Sequence, residues 1–204
     1  MSRLRRNTIG ITIGDPCGIG PEVVAKALAT LPLRTRTSAR FLIIGDDRVY
    51  QRYNPKRKGE GFVDLRNMLL QKLRLGRPNP ESARASLEYL QYAIGLLKEK
   101  KISSLVTAPV SKEAVSSLGI PFCGHTEYLA QAFKVKRFGM MFVTDRLKMS
   151  LVTRHLPLRR VAQAIDSAKI DTTLSLTHET LQKFFEIRKP RIAVCGLNPH
   201  AGEG

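Results

Sequence analysis

Short apolar runs rich in β-branched residues alternate along this chain with longer segments in which apolar residues recur every three or four positions. The short runs are typical of buried strands, and the longer pattern is typical of amphipathic helices. The predicted strands are 8–13, 41–44, 102–106, 147–152 and 191–195, each followed by a glycine, proline or polar turn. Strands that alternate with helices in this way favour an α/β fold built on a mostly parallel sheet.

Residues that favour helix N-termini mark four predicted helix starts: Pro21 in a first turn, Ser82 and Ser111 as caps, and Asp171. The helix after Ser111 is expected to stop at Gly119. His178 falls inside the helix after Asp171 and is expected to face solvent or a neighbouring helix. The segment 53–61 carries proline, glycine and basic residues and is predicted to be an exposed loop.

Net charge is the unusual feature of the composition. The chain has 34 Lys and Arg against 17 Asp and Glu, a formal charge of +17, which would attract nucleic acid or an anionic substrate. The basic residues are nevertheless scattered, with the densest cluster at 56–58, and aromatic residues make up only 6%, too few for a base-stacking surface. Specific nucleic-acid binding is therefore disfavoured, but net charge does not by itself separate the two kinds of partner.

Nothing in the sequence indicates a membrane or secreted protein. The longest apolar runs are about five residues, far short of the roughly 20 that cross a bilayer. The basic segment 1–7 runs straight into a predicted strand without the apolar stretch of a signal peptide. Cys17, Cys123 and Cys195 are odd in number and show no C-x-x-C spacing, which disfavours a disulfide framework and a cysteine zinc site. We expect a soluble protein of the reducing cytoplasm.

A glycine-rich loop joins the first predicted strand to the first helix. Gly14, Gly18 and Gly20 would allow a ligand to approach the backbone at the helix N-terminus. Their spacing matches neither the G-x-G-x-x-G dinucleotide fingerprint nor the G-x-x-x-x-G-K-[ST] phosphate loop. The alternative, a tight turn that needs positive φ angles, stays open.

Two histidines follow predicted strands. His155 comes after 147–152 and His200 after 191–195, so in a parallel sheet both would lie in the crevice at the carboxyl ends of the strands. Two imidazoles there could bind a divalent metal. They would still need a third protein ligand, which no residue of the chain is obviously placed to supply. The alternative is that each is an ordinary loop residue.

A second polar group lies where a turn leads into a helix. His125, Thr126 and Glu127 could together bind an anion or a polar substrate through side chains and backbone N–H groups. In the alternative, Thr126 caps the helix and its neighbours have no ligand.

Weaker candidates follow two other predicted strands. Lys112, after 102–106, could reach an anionic group, although a lysine on a helix surface is the commoner case. Asp46 and Asp47 could bind a hydroxyl-rich ligand, although a solvated turn is favoured. The chain has no G-x-S-x-G elbow and no Cys/His nucleophile pair, which disfavours acyl transfer.

Five motifs in this order resemble the 4-hydroxythreonine-4-phosphate dehydrogenase family of pyridoxal phosphate synthesis. They are ITIGDPCGIGPE at 11–22, VTAPVSK at 106–112, GHTE at 124–127, HLPL at 155–158 and GLNPHAGEG at 196–204. The resemblance implies oxidation by NAD of the C3 alcohol of 4-phosphooxy-L-threonine, then decarboxylation to 3-amino-2-oxopropyl phosphate. Related dehydrogenases for phosphorylated threonate and erythronate share these motifs.

The resemblance also implies roles for individual residues. In the family a divalent metal, which we expect to be Zn, Mg or Co, is bound by three histidines, and His155 and His200 match two of them. His125 and Thr126 match the substrate-binding pair. The family forms a homodimer in which both subunits build each active site.

Family resemblance further implies a fold similar to the isocitrate and isopropylmalate dehydrogenases. Such proteins have two three-layer α/β/α domains beside a cleft and an NAD site without a Rossmann motif. On this pattern 1–121 is the N-terminal part of the first domain, and 122–204 begins the second.

Some features depart from the family. Its members continue beyond the position of Gly204, where they hold the third metal histidine, the lysine, asparagine and arginine that bind substrate, and a segment that returns to the first domain. Cys17 stands where alanine is common, and 47–82 is weakly matched. We therefore expect a C-terminally truncated member, and the alternative is an inactive relic with a basic surface.

Overall fold

The computed structural model describes residues 7–55 and 60–200, with the side chain of Arg36 left out. The basic cluster 56–58 and the last four residues of the final motif therefore lie outside the described residues. The chain divides into two compact units, Met1–Ala132 and Phe133–Gly204. This division places the helix that begins at His125 in the first unit, whereas the sequence boundary after 121 assigned it to the second; that boundary concerns the intact two-domain protein and stays a prediction.

The first unit is built on a parallel sheet of four strands in the order β3-β2-β1-β4. The strands are β1 Thr8–Thr12, β2 Arg40–Gly45, β3 Gly61–Asp64 and β4 Ser104–Thr107. β1 is central: Ile11 lies between Ile43 of β2 and Val106 of β4. The predicted α/β class with a parallel sheet is confirmed, and β3 is an additional strand at the end of the segment predicted to be a loop.

Six helices accompany this sheet in the described part of the first unit. They are α1 Gly20–Thr30, α2 Leu33–Ser38, α3 Asp47–Tyr50, α4 Pro80–Lys98, α5 Lys112–Ser116 and α6 His125–Ala132. A short 3₁₀ turn occupies Leu70–Lys72. The helix predicted around Pro21 is therefore confirmed as α1, which buries Val24, Ala25 and Leu28.

α4 is apolar on two faces because it packs between two cores. Tyr89 and Ala93 belong to the cluster that also contains Ile11 and Ile43 of the sheet. Leu87 and Leu90, on another face of the helix, pack in a second cluster with α5 and Phe122. Burial on both faces accounts for a 19-residue helix with ten buried residues.

The predicted caps were partly right. Ser111 caps α5 as expected, because its hydroxyl accepts a hydrogen bond from the Ala114 N–H at 3.2 Å. α4 begins two residues before Ser82, and its N-cap is Asn79. The Asn79 side chain accepts from the Ser82 N–H while the Ser82 hydroxyl accepts from the Asn79 N–H, a reciprocal capping box. The signal was present in the sequence, because asparagine at the N-cap followed by proline in the first turn is a favoured helix start.

The second unit contains a two-stranded antiparallel sheet and two helices. β5 is Met140–Val143, β6 is Lys148–Leu151, α7 is Leu158–Ala164 and α8 is Ser167–Phe185. α8 packs on β6, where the Thr177 hydroxyl donates to the Ser150 hydroxyl at 2.7 Å. Asp166 caps α8 by accepting from the Lys169 N–H, so Asp171 lies inside the helix and does not begin it.

Two strand predictions in this unit need correction. The segment 147–152 forms β6, but it pairs antiparallel with β5 and not in a parallel sheet. The segment 191–195 is not a strand, and Ile192 and Val194 are exposed. A strand exists through hydrogen bonds to a neighbour, and no described residue pairs with this segment.

No helix in the described part of the chain is long and apolar enough to cross a bilayer.

Candidate functional site

The glycine loop between β1 and α1 packs tightly on the loop that follows β4. The Asp15 N–H donates to the Pro109 carbonyl at 2.9 Å, and the Ala108 N–H donates to the Thr12 carbonyl at 3.1 Å. These bonds hold together the loops at the carboxyl ends of two neighbouring strands. Ligands of parallel α/β sheets bind at this edge.

Two of the three glycines are required by this packing. Gly14 has φ +71°, and a methyl group on it would lie 2.3 Å from the Pro109 carbonyl oxygen. A methyl group on Gly20 would lie 2.2 Å from the Ile13 carbonyl oxygen. Both distances are far shorter than van der Waals contact, so these positions support the tight-turn alternative and not a loop left open for a phosphate.

Asp15 is the functional candidate in this loop that sequence reasoning missed. The residue is 2% exposed, and its Oδ1 accepts from the Cys17 N–H at 2.8 Å, while Oδ2 is buried and accepts no hydrogen bond within the described residues. Burial raises the pKa of Asp15, and the hydrogen bond from the Cys17 N–H opposes that rise. The sequence signal that could have identified Asp15 is a carboxylate in the loop that follows the central strand β1.

Asp46 does not form the solvated turn that was favoured for it. Its carboxylate is fully buried and caps α3 by accepting from the Arg48 N–H. The Arg48 guanidinium donates to both Asp46 oxygens, at 3.0 and 2.6 Å, and also to the Met68 carbonyl. Because the Met68 N–H donates to Asp46 as well, this carboxylate is saturated by the protein and a role in ligand binding is disfavoured.

Cys17 joins the glycine loop to the segment before α4. Its thiol is buried and lies 3.4 Å from the Arg74 N–H and 3.6 Å from the Asn79 amide nitrogen. None of Cys17, Cys123 and Cys195 forms a disulfide bond.

His125 is the first residue of α6. The Gly124 carbonyl accepts from the Tyr128 N–H at 3.1 Å, so Thr126 lies inside the first turn and the alternative in which it caps the helix is wrong. The rings of Phe122 and His125 form a T-shaped pair, with ring centroids 5.7 Å apart. Nε2 of His125 is buried and has no hydrogen-bond partner among the described residues.

A lysine from α5 lies beside His125. A methyl group on Gly124, which has φ +152°, would lie 3.5 Å from Nζ of Lys112 and 3.4 Å from Oε2 of Glu127. Burial, and next the positive charge of Lys112, lower the pKa of His125. The imidazole is therefore neutral near pH 7, and the site combines an uncharged ring nitrogen with an exposed ammonium group.

The two histidines matched to metal ligands belong to the second unit. His155 follows β6 with φ +52°, and both His155 and His200 are exposed. Since β6 is antiparallel and 191–195 is not a strand, the argument that both residues follow parallel strands is wrong. Across residues 7–55 and 60–200, no group of three or more His, Cys, Asp or Glu side chains could hold a metal ion. The assignment of these two imidazoles as ligands stays a prediction.

Comparison with known proteins gives one consistent family. The family model described as pyridoxal phosphate biosynthetic protein PdxA matches residues 17–204. A relative from Desulforapulum autotrophicum named 4-hydroxythreonine-4-phosphate dehydrogenase is 37% identical over 97% of this chain and 63% of its own length. A relative from Oceanobacillus iheyensis bears the name "Putative D-threonate 4-phosphate dehydrogenase" and is 36% identical over 98% of this chain and 65% of its own length.

A solved structure agrees with this result. The crystal structure of 4-hydroxythreonine-4-phosphate dehydrogenase from Klebsiella pneumoniae is 27% identical, with a TM-score of 0.81 over 96% of this chain and 65% of that protein. The chain thus spans a little under two thirds of the length of the proteins that it matches.

Proposed function

Because this chain belongs to the family of the pyridoxal phosphate biosynthetic protein PdxA, we propose that it serves in the oxidation by NAD, and the decarboxylation, of 4-phosphooxy-L-threonine to 3-amino-2-oxopropyl phosphate. The observation that carries the proposal for this chain is the His125 site. At the start of α6, a neutral imidazole whose Nε2 has no partner among residues 7–55 and 60–200 lies beside a cation, so a phosphorylated substrate would find a hydrogen-bonding group and a positive charge there.

His125 and Thr126 are the proposed substrate-binding residues. The two side chains are adjacent in the first turn of α6, where backbone N–H groups lack partners within the helix. In this proposal the neutral His125 ring and the Thr126 hydroxyl orient the substrate through hydrogen bonds.

A second candidate function is oxidation of a four-carbon sugar-acid phosphate such as D-threonate 4-phosphate. The name of the Oceanobacillus iheyensis relative favours it. The substrates differ at C2, where one carries an amine and the other a hydroxyl group, so the enzymes would differ in the groups that face that carbon.

For the metal, we propose that His155 and His200 are two of three ligands for Zn, Mg or Co. The described residues do not complete the site, because they hold no third ligand near this pair. The third histidine and further substrate-binding Lys, Asn and Arg would lie outside the residues matched here.

NAD, when bound, would accept the hydride from C3. The glycine loop does not match a dinucleotide fingerprint, and Gly14 and Gly20 are required by backbone packing. No described residue is therefore assigned to NAD. For the full-length family member, we also propose the two-domain architecture of the isocitrate and isopropylmalate dehydrogenases. The NAD site of that architecture has no dinucleotide fingerprint.

We propose a homodimer in the cytoplasm. The β5–β6 hairpin supports an interface, because Phe142, Val143 and Met149 are about half exposed and apolar. Unpaired thiols at Cys17, Cys123 and Cys195 fit a reducing compartment.

Because the described residues do not complete the metal site, the test is formation of NADH by this chain extended to the length of its relatives with the C-terminal third of one of them, in the presence of NAD, Zn²⁺ or Mg²⁺, and one substrate at a time. We expect turnover with 4-phosphooxy-L-threonine, and we expect His125→Ala to raise KM by about tenfold, the loss of one hydrogen bond to a charged group. Turnover with D-threonate 4-phosphate alone would select the second function. No turnover with either substrate would contradict a catalytic role for this chain.

A further inference from the structure

The side chain of Lys112 lies close to the residues that begin α6, and this distinguishes it from a lysine whose side chain extends only into solvent. It begins α5, directly after the loop that follows β4, and Ser111 fixes the start of that helix by capping it. The distances at Gly124 place both Cε and Nζ of Lys112 above this glycine, 3.5 Å from a methyl group built on it. The Lys112 side chain therefore lies in van der Waals range of the backbone directly before His125.

The charged groups around His125 come from two elements. Lys112 of α5 supplies a positive charge that acts on the imidazole. Glu127, on the same helix as His125, has Oε2 close to the same glycine. Phe122 packs on the ring and carries no charge. Among the described residues, Lys112 and Glu127 thus bring an ammonium group and a carboxylate close to Gly124, next to His125.

We propose that Lys112 is a further substrate-binding residue, whose ammonium group contacts the same phosphate of the substrate as His125 and supplies the positive charge of that subsite. The inference rests on the proposed function, which makes the ligand a phosphate ester. A neutral imidazole offers a hydrogen bond but no net charge, so it cannot by itself offset a phosphate dianion. A lysine ammonium is a compact charge suited to phosphate, and Lys112 is exposed and so accessible to a ligand.

The experiment measures binding of inorganic phosphate to the purified full chain by calorimetry, without NAD or turnover. Lys112→Met is expected to weaken phosphate binding by about tenfold or more, as for loss of a hydrogen bond between charged groups, and Lys112→Arg is expected to restore most of it. Lys101→Met is the matched control. Lys101 is another exposed lysine of the first unit and is paired with Glu99. Its substitution by methionine removes the same net charge as Lys112→Met.

A second variant tests whether the negative charge of Glu127 opposes phosphate binding near Gly124. Glu127→Gln removes the carboxylate near Gly124, so we expect phosphate to bind more tightly, by about threefold. The His125 imidazole, followed by NMR, should titrate at higher pH in Lys112→Met than in the unmodified chain, because the nearby positive charge is gone.

The outcomes separate this inference from the proposed function. Equal weakening by Lys112→Met and Lys101→Met would overturn it, because only net charge would matter. Unchanged phosphate binding in Lys112→Met would also overturn it, even if the His125 titration moved. Selective weakening in Lys112→Met without any NADH formation would leave the phosphate subsite standing while the proposed reaction failed.

Discussion

At the scale of single residues, His125 combines features that a purely structural histidine would not need. Nε2 is buried and finds no partner in the described part of the chain, although leaving a buried polar atom unpaired costs about 1–3 kcal/mol. By contrast, the buried carboxylate of Asp46 has every oxygen engaged by Arg48 or Met68. The difference separates a group that stabilises the fold from one that is available to a ligand.

Protonation of His125 should destabilise the chain. Burial and Lys112 hold its pKa in the folded state below the ordinary value of 6.5, so the unfolded chain binds more protons in that range. The free energy of unfolding should therefore fall as pH drops through 6.5 toward the lower folded-state pKa, and this loss should be absent above 6.5. Urea unfolding of the chain and of His125→Gln between pH 5 and 8 measures it. An equal pH slope in both proteins would contradict the shift, and His178→Gln, at an exposed helical histidine, is the control.

At the scale of elements, α4 is the central helix of the first unit. It contributes to the sheet core through Tyr89 and Ala93 and to the α5–α6 core through Leu87 and Leu90. Its N-terminus is fixed by Asn79, whose amide nitrogen also donates to the Lys72 carbonyl at 3.0 Å. The N-cap of α4 therefore also fixes the segment that contains Lys72 and Arg74, and Cys17 contacts this segment at the Arg74 N–H.

Loss of this cap should destabilise the first unit measurably. Asn79→Ala removes the bond to the Ser82 N–H and the contacts to Lys72 and Cys17, so we expect a loss of about 1–2 kcal/mol in the free energy of unfolding. Chemical denaturation gives the value. Gln131→Ala, an exposed position on α6, should change it by less than about 0.5 kcal/mol. A loss no larger than that of the control would mean that the capping box contributes nothing.

At the scale of the whole molecule, the two units differ in how many of their residues are buried in a core. The first has a four-stranded sheet with three clusters of buried apolar residues. In the described part of the second, only Thr177 and Leu181 are buried, and the apolar side chains of Phe142 and Val194 are exposed. The candidate substrate residues lie in the first unit and the candidate metal residues in the second.

Metal binding tests the second unit directly. Two imidazoles without a third ligand should bind Zn²⁺ weakly, so Zn²⁺ at roughly ten times the protein concentration should raise the melting temperature by less than about 1 °C. Differential scanning calorimetry measures the shift, and His155→Ala with His200→Ala serves as the control. A large Zn²⁺ shift that this double variant abolishes would show that the chain completes a metal site by itself.

The amino-acid sequence was enough to predict the α/β class, the strands β1, β2 and β4, the helices α1 and α5, and the family, because periodicity, helix-start residues and contiguous motifs are properties of neighbouring residues. It also singled out His125 and Lys112, each from its position after a turn or a strand. The folded arrangement was needed to show that Asp46 is saturated by Arg48 and Met68, that Lys112 lies close to Gly124, and that 191–195 forms no strand. Each of these depends on a partner remote in the chain, whose position is set by strand order and packing and not by local pattern.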